Sequence, residues 1–293
     1  MEKKTIAVVG LGLIGGSLAM ALRGFEDYRI VGVARRQETV DYANAHGVGD
    51  MATTKAAEVV RKADVTWLCL PPQGILDFLE TYKNDFKPGS LVTDVCGVKT
   101  AIVDGAKCLP PTVDFIGCHP MAGKEVSGIT HAEGTLFRNA HFIITPQAEN
   151  AAEHLELMKR MGEHMGFRDV VTATPQQHDA IIAYTSQVMH VMAAAVCDDP
   201  DLFDCKGFEG GSFRDCTRVA ALDVPLWTQL FSLNAPALCK VIKTLEDNLR
   251  SYRTAIEIGD RTKLAEKLEY SAARKRQMNL EGPPRGDSYK PEG

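Results

Sequence analysis

The chain has no surplus of positive charge: 33 Lys and Arg stand against 38 Asp and Glu, a formal charge of −5. It therefore has no general attraction for phosphate backbones or anionic bilayers, and neither nucleic acid nor membrane is an expected partner. An anionic small molecule would need its own local cluster of Arg or His. No uninterrupted apolar run reaches about 18 residues, the length a spanning helix requires. The opening MEKKTIAVVGLG runs straight into a glycine-punctuated strand, without the apolar core and cleavage site of a secretory signal. The eight cysteines (Cys69, Cys96, Cys108, Cys118, Cys197, Cys205, Cys216, Cys239) include no C-x-x-C pair and no Cys/His spacing suited to zinc. No metal is expected, and free thiols in a reducing cytoplasm are the expectation. Internal repeats are also missing.

What is present is an ordinary globular composition, 45% hydrophobic and 24% charged. At 293 residues the chain exceeds the size at which single cores stop growing, which predicts two domains. In the first half, short apolar runs alternate with helical segments. Residues 5–9 (TIAVV), 29–33 (RIVGV), 65–70 (VTWLCL), 91–95 (LVTDV), 114–117 (DFIG) and 141–145 (HFIIT) read as strands. Residues 13–22, 38–45 and 75–82 read as helices between them. This alternation predicts an α/β Rossmann domain with a doubly wound, mostly parallel sheet over residues 1–173.

The pattern changes at Thr174-Pro175, a capping Thr followed by Pro at the first helical position. Helical periodicity runs over 176–197, then over 226–233, 235–256 and 261–278, with no convincing strand. Residues 174–280 are thus expected to form an all-α dimerisation domain, because their apolar helix faces exceed what a small closed core needs. Residues 281–293 (EGPPRGDSYKPEG) are rich in Pro, Gly and charge and are expected to be disordered.

Gly10-Leu11-Gly12-Leu13-Ile14-Gly15 is a G-x-G-x-x-G placed where a strand becomes a helix. Gly10 permits the tight turn, Gly12 the approach of a pyrophosphate, and Gly15 close packing of helix on strand. The bare motif is weak, but here it opens a regular βαβ series and predicts a dinucleotide site. An NAD site would carry a carboxylate at the end of the second strand. Ala34 holds that position, followed by Arg35 and Arg36, so no carboxylate repels a 2′-phosphate and two guanidinium groups are at hand to bind one. NADP is the expected cofactor, with NAD as the alternative; both arginines could equally be a solvated helix start. His119, in Cys118-His119-Pro120-Met121-Ala122-Gly123, follows a predicted strand at the sheet end where such folds bind ligands, and is placed to act as general base for an alcohol oxidation.

Taken together, VVGLGLIGGSLA (8–19), LCLPP (68–72), TDVCGVK (93–99), GCHPMAGKEVSG (117–128), the His178-Asp179 pair and GGSFRDCTRVA (210–220) resemble the prephenate/arogenate dehydrogenase family, in order and over both halves. The HPMAG segment combined with the second Gly-Gly segment is far more specific than the glycine motif. The resemblance implies oxidative decarboxylation of prephenate or arogenate, with hydride passing to NAD(P), in tyrosine biosynthesis. It makes His119 the catalytic histidine that takes the ring hydroxyl proton, and Arg218 the holder of a substrate carboxylate. His190 becomes a substrate-facing residue, with Gln187 beside it. Glu125, Asp215 and Trp227 match positions of the substrate pocket or its gating network. Asp215 could instead pair with Arg218 along a helix, and Trp227 could be core. Leu70, Pro71 and Pro72 join the cofactor site, and a homodimer through the helical half is implied.

The chain departs from the family at Gly97, where many members carry a Ser whose hydroxyl contacts the catalytic histidine or substrate. Gly97 is kept in the substrate site, with a backbone group or water expected to replace that hydroxyl. A regulatory ACT-type domain and a fused chorismate mutase are not expected. Two other readings compete. A β-hydroxyacid dehydrogenase or imine reductase also joins a Rossmann to a helical domain, but uses a catalytic Lys and lacks the HPMAG histidine. A non-enzymatic dinucleotide-sensing module would have no need for an Arg/His constellation.

Overall fold

The structure is a computed structural model that describes residues 3–281. Its first half is an eight-stranded sheet of order β3-β2-β1-β4-β5-β6-β7-β8. In chain order its elements are β1 (Lys4–Val9), α1 (Leu13–Ala21), β2 (Tyr28–Val33), α2 (Gln37–Ala45), β3 (Met51–Thr53), α3 (Ala56–Val60), β4 (Val65–Leu68) and α4 (Pro72–Tyr82). They continue with β5 (Leu91–Asp94), α5 (Thr100–Ala106), β6 (Asp114–Pro120), β7 (His141–Thr145), α6 (Ala152–His164) and β8 (Asp169–Thr172). All neighbours pair in parallel except β6 with β7. The apolar runs are continuous because both faces of the sheet are covered. Ile6, Val8, Ile30, Trp67 and Phe142 face α1, α2 and α6, whereas Ala7, Val9, Leu68 and Val92 face α3, α4 and α5.

The sequence reading missed β3, α3, α5, α6 and β8. Four of these span seven residues or fewer, too short for a hydrophobic period to emerge. In α6 the buried stripe is carried by Leu157, Met158, Met161 and Gly162 rather than by a dense apolar run.

All later elements are helices, so the expected α/β-then-α architecture is found. They are α7 (Pro175–Ile182), a π-helical turn (Ala183–Gln187), α8 (Val188–Cys197), α9 (Gly211–Thr217), α10 (Val224–Leu233), α11 (Ala235–Glu257) and α12 (Arg261–Glu281), with short 3-10 turns at Pro200–Phe203 and Arg218–Ala220. The start of α7 follows from local chemistry. The Thr174 hydroxyl accepts from Gln177 N at 3.1 Å, and the Gln177 side chain accepts from Thr174 N at 2.9 Å, a reciprocal cap ahead of Pro175. The run Pro175–Cys197 is the one stretch among the described residues that is long and apolar enough, by length and composition, to cross a membrane. The sequence reading passed over it because Gln, His and Asp interrupt the apolar residues. Those polar residues are used internally, as described below.

The helical half buries few apolar side chains of its own, chiefly Ala183, Val188 and Leu238. Tyr184, Met189, Val196, Leu249 and Ile256 stay exposed. By contrast α10 packs onto the first half, where Leu230 joins the core beneath α4 and α5. Truncating such a side chain to Ala costs about 2–5 kcal/mol, so α10 is firmly seated. The residues beyond Glu281 in the expected disordered tail lie outside the described residues.

Candidate active site

The site is built on the C-terminal ends of β1, β4, β5 and β6, which are consecutive neighbours in the sheet. At the end of β1, Gly10 has φ +97°, and a Cβ there would meet Cys69 O at 2.3 Å. The turn thus passes hard against the end of β4, next to Leu70. A Cβ on Gly15 would stand 1.8 Å from Gly10 O, which is why helix and turn pack so closely. Gly12 is the opposite case. Its Cβ would meet nothing within 4 Å, so the space above the turn is open. Gly12 is also the N-cap of α1 and supplies no side-chain cap, leaving first-turn N–H groups, Leu13 and Ile14 among them, available to an anion. The turn therefore fits a dinucleotide pyrophosphate. Pro71 caps α4 and Pro72 opens it beside Leu70.

At the end of β2, Ala34 is buried, and Arg35 and Arg36 are exposed. Arg36 pairs with Glu38 at 3.3 Å, with both side chains about three-quarters exposed. Such a surface pair is worth about 0–1 kcal/mol and opens readily for a better anion.

The centre of the site is a buried polar cluster joining β5, β6 and α7. Asp94, fully buried at the end of β5, accepts from Cys96 N at 2.8 Å and from Cys118 N at 3.2 Å. Its carboxylate also pairs with Lys99, whose Nζ donates to Cys118 O at 2.6 Å. An unpaired buried charge would cost several kcal/mol, so this mutual satisfaction fixes the backbone on both sides of Gly97 and His119. β6 continues past its last pair with β5, Thr93 with Ile116, so that His119, partly buried and paired only with β7, stands beyond the end of β5.

The His119 Nδ1 lies 3.0 Å from His178 Nε2, and His178 Nδ1 lies 2.8 Å from Asp179 Oδ1. Asp179 accepts from Lys99 N at 2.7 Å and Thr100 N at 2.8 Å, so a carboxylate from the helical half caps α5 of the first half. Burial lowers the pKa of His119 well below the ordinary 6.5, helped by His178 and Lys99 and opposed by Asp179. His178 is also lowered, by burial first, against the bond to Asp179 that raises it. Burial raises Asp179, but bonds from His178, Thr100 and Lys99 outweigh it and hold the carboxyl below its usual range. Both imidazoles are therefore neutral near pH 7, and Asp179 is ionised.

The far nitrogen of His119 faces Gly97, where a Cβ would stand 3.8 Å from Nε2 and Cε1. On α8, His190 stacks on Trp227 with ring centroids 3.6 Å apart, and its Nδ1 donates to Ser186 O at 3.0 Å. Burial, with Arg218 nearby, lowers its pKa. Trp227 is both wall and core, since it also packs with the cluster around Leu230. Arg218 pairs with Glu125, in the loop after β6, and not with Asp215, which lies exposed on α9.

One assigned residue faces elsewhere. Gln187 was read as lining the substrate site, but the π-helical turn carries it inward, where it is 1% exposed. Its amide donates to Leu230 O at 3.3 Å and accepts from Asn234 Nδ2 at 2.8 Å. Asn234 donates as well to Asp179 O at 2.8 Å. Gln187 supports the helix that carries the site. Sequence reasoning noted the His178-Asp179 pair only as a motif, and gave no role to Asp94, Lys99 or Asn234. A buried Asp, Lys or Asn is invisible to periodicity when its partner is far away in the chain.

Comparison with known proteins agrees with this arrangement. The family described as prephenate dehydrogenase, nucleotide-binding domain, matches residues 18–171, and the family described as prephenate dehydrogenase, dimerization domain, matches residues 174–270. A cyclohexadienyl dehydrogenase of Zymomonas mobilis is 31% identical over 275 residues, covering 92% of this chain and 94% of its own length. A crystal structure of prephenate dehydrogenase from A. aeolicus in complex with hydroxyphenyl propionate and NAD+ superposes with a TM-score of 0.84 at 28% identity. It covers 94% of this chain and 99% of that one. The Synechocystis arogenate dehydrogenase structure gives a TM-score of 0.80 at 32% identity, covering 93% and 99%.

Proposed function

The chain belongs to the prephenate dehydrogenase family, and from that premise we propose that it oxidatively decarboxylates prephenate or arogenate, yielding 4-hydroxyphenylpyruvate or tyrosine, with NAD(P) as the oxidant. The observation that carries the reading is the neutral His119 at the strand ends, linked through His178 to the Asp179 carboxylate, with Arg218 and His190 near one another on the helical half.

The chain's own groups divide the work. Gly10, Leu11, Gly12, Leu13, Ile14 and Gly15, with Leu70, Pro71 and Pro72, hold the dinucleotide, which supplies a hydride acceptor when bound. His119 Nε2 removes the proton of the ring hydroxyl as hydride leaves the same carbon, turning that carbinol into a carbonyl. Carbon dioxide then leaves the ring, the bonding pair it abandons completes the aromatic ring, and the carbonyl oxygen takes the proton back from His119 to become the phenol. Aromatisation makes the sequence irreversible. Arg218 binds a substrate carboxylate after release from Glu125, with His190 beside it. Glu125, Asp215, Trp227 and Gly97 shape the rest of the pocket.

Ala34, Arg35 and Arg36 support NADP over NAD. The bare apolar faces of α8 and α11 and the matched dimerization family support a homodimer. A division into a cofactor domain, 1–173, and a substrate and dimerisation domain, 174–280, is supported by the change from sheet to helices after β8. The free thiols fit a cytoplasmic enzyme. The deciding experiment is steady-state kinetics on prephenate and arogenate, each with NAD and NADP. Turnover with neither substrate would refute the reading.

A further inference from the structure

We propose that His178 and Asp179 are positioning residues that hold His119 in a single tautomer, protonated at Nδ1 and bare at Nε2, and so do the orienting work for which Gly97 has no side chain. The inference rests on the reading of His119 as the base.

The proton order follows from the chain of bonds. Asp179 is ionised and already accepts two backbone N–H groups, so the 2.8 Å contact with His178 requires a proton on His178 Nδ1. A neutral His178 then has only a lone pair at Nε2. The 3.0 Å contact there requires His119 Nδ1 to donate, which leaves the His119 lone pair on Nε2, the nitrogen that faces the space over Gly97. Each ring has one donor and one acceptor, and only this order satisfies every link.

The arrangement also prepares for the proton that His119 receives. Of the two charges that act on His119, Lys99 disfavours an imidazolium and the Asp179 carboxylate favours one. An imidazolium at His119 has its Nδ1–H directed along the chain towards that carboxylate. Because Asp179 lies on α7 and caps α5, the tautomer depends on the seating of the helical half against the sheet.

The first test needs neither cofactor nor turnover. In 15N-histidine-labelled full-length protein, with His119 and His178 assigned by His→Asn variants, His119 should give a protonated Nδ1 and an unprotonated Nε2. The opposite tautomer would overturn the proposal even if His119 were still the base. His178→Leu, which removes the acceptor opposite His119 Nδ1, should release the order and let the Nε2-protonated form of His119 appear; an unchanged tautomer in that variant would count against the relay.

In turnover, His178→Leu should lower kcat on the order of a hundredfold with the cofactor KM unchanged. His178→Gln, which keeps an acceptor at the Nε2 position, should recover most of that loss. Equal loss in both variants would reduce His178 to a packing role. A His119→Asn variant with undiminished kcat would instead remove the base assignment, and leave the tautomer measurement standing.

Discussion

Arg218 and Glu125 form an ion pair between the two halves of the chain, from the turn after α9 to the loop after β6, and both side chains stay more than half exposed. An exposed pair is worth about 0–1 kcal/mol, so on the proposed reading a substrate carboxylate would displace Glu125 at small cost. Arg218→Ala removes binding shared by the ground and transition states. It should raise the substrate KM strongly with a smaller effect on kcat. A variant with unchanged KM and depressed kcat would show that Arg218 acts on the reacting centre.

His119→Asn should lower kcat by roughly a hundred- to ten-thousand-fold with dinucleotide binding nearly intact. Because burial holds His119 well below 6.5, its basic form is already complete near neutrality. The acid limb of kcat/KM should therefore fall only well below pH 6.5, as protons fill Nε2. Near-normal kcat in the variant across about pH 6–9 would pass the role to His190.

The same shifts bear on stability. His119 and His178 are lowered in the fold, so on acidification below 6.5 the unfolded chain binds protons that the native one refuses. Stability then rises with pH through this region and is lost as pH falls. Asp179, held below 3.8, acts in the same direction at lower pH: its contribution is present above the unfolded value and lost as pH falls through the folded one. Thermal melts from about pH 7.5 to 5 should show a declining Tm, and a flat or rising Tm would contradict the buried neutral pair.

Arg35→Ala with Arg36→Ala should weaken NADP by about 1.5–3 kcal/mol per charged hydrogen bond, leaving NAD little changed. Direct titration of each dinucleotide reads this out. Equal losses with both would mean that the arginines do not distinguish the 2′-phosphate.

Sedimentation at micromolar concentration should give a particle near twice 32.0 kDa. Leu249→Glu, at an exposed apolar position on α11, should shift it towards the monomer. A clean wild-type monomer would leave the bare faces of α8 and α11 without a partner.

Much of the architecture was legible because its causes are local. The glycine turn, the strand-helix alternation and the Thr174 cap each lie within a few residues, where steric limits and hydrogen-bond geometry act directly. His119 was findable for the same reason, through its neighbours Gly117 and Pro120 and its place at a strand end. Short elements such as β3 and α5 left too few residues for a pattern.

The sequence by itself determined that a nucleotide turn opens a parallel sheet and that a helical half follows. Only the tertiary structure decided what the side chains of the site touch. His178 meets His119 across 59 positions, Asp179 meets Lys99 across 80, and Arg218 meets Glu125 across 93. No spacing encodes such contacts, because they depend on how the helical half folds back against the sheet. Gln187 makes the point at one residue: it closes a single wide turn of helix with its side chain in the interior, set on Asn234.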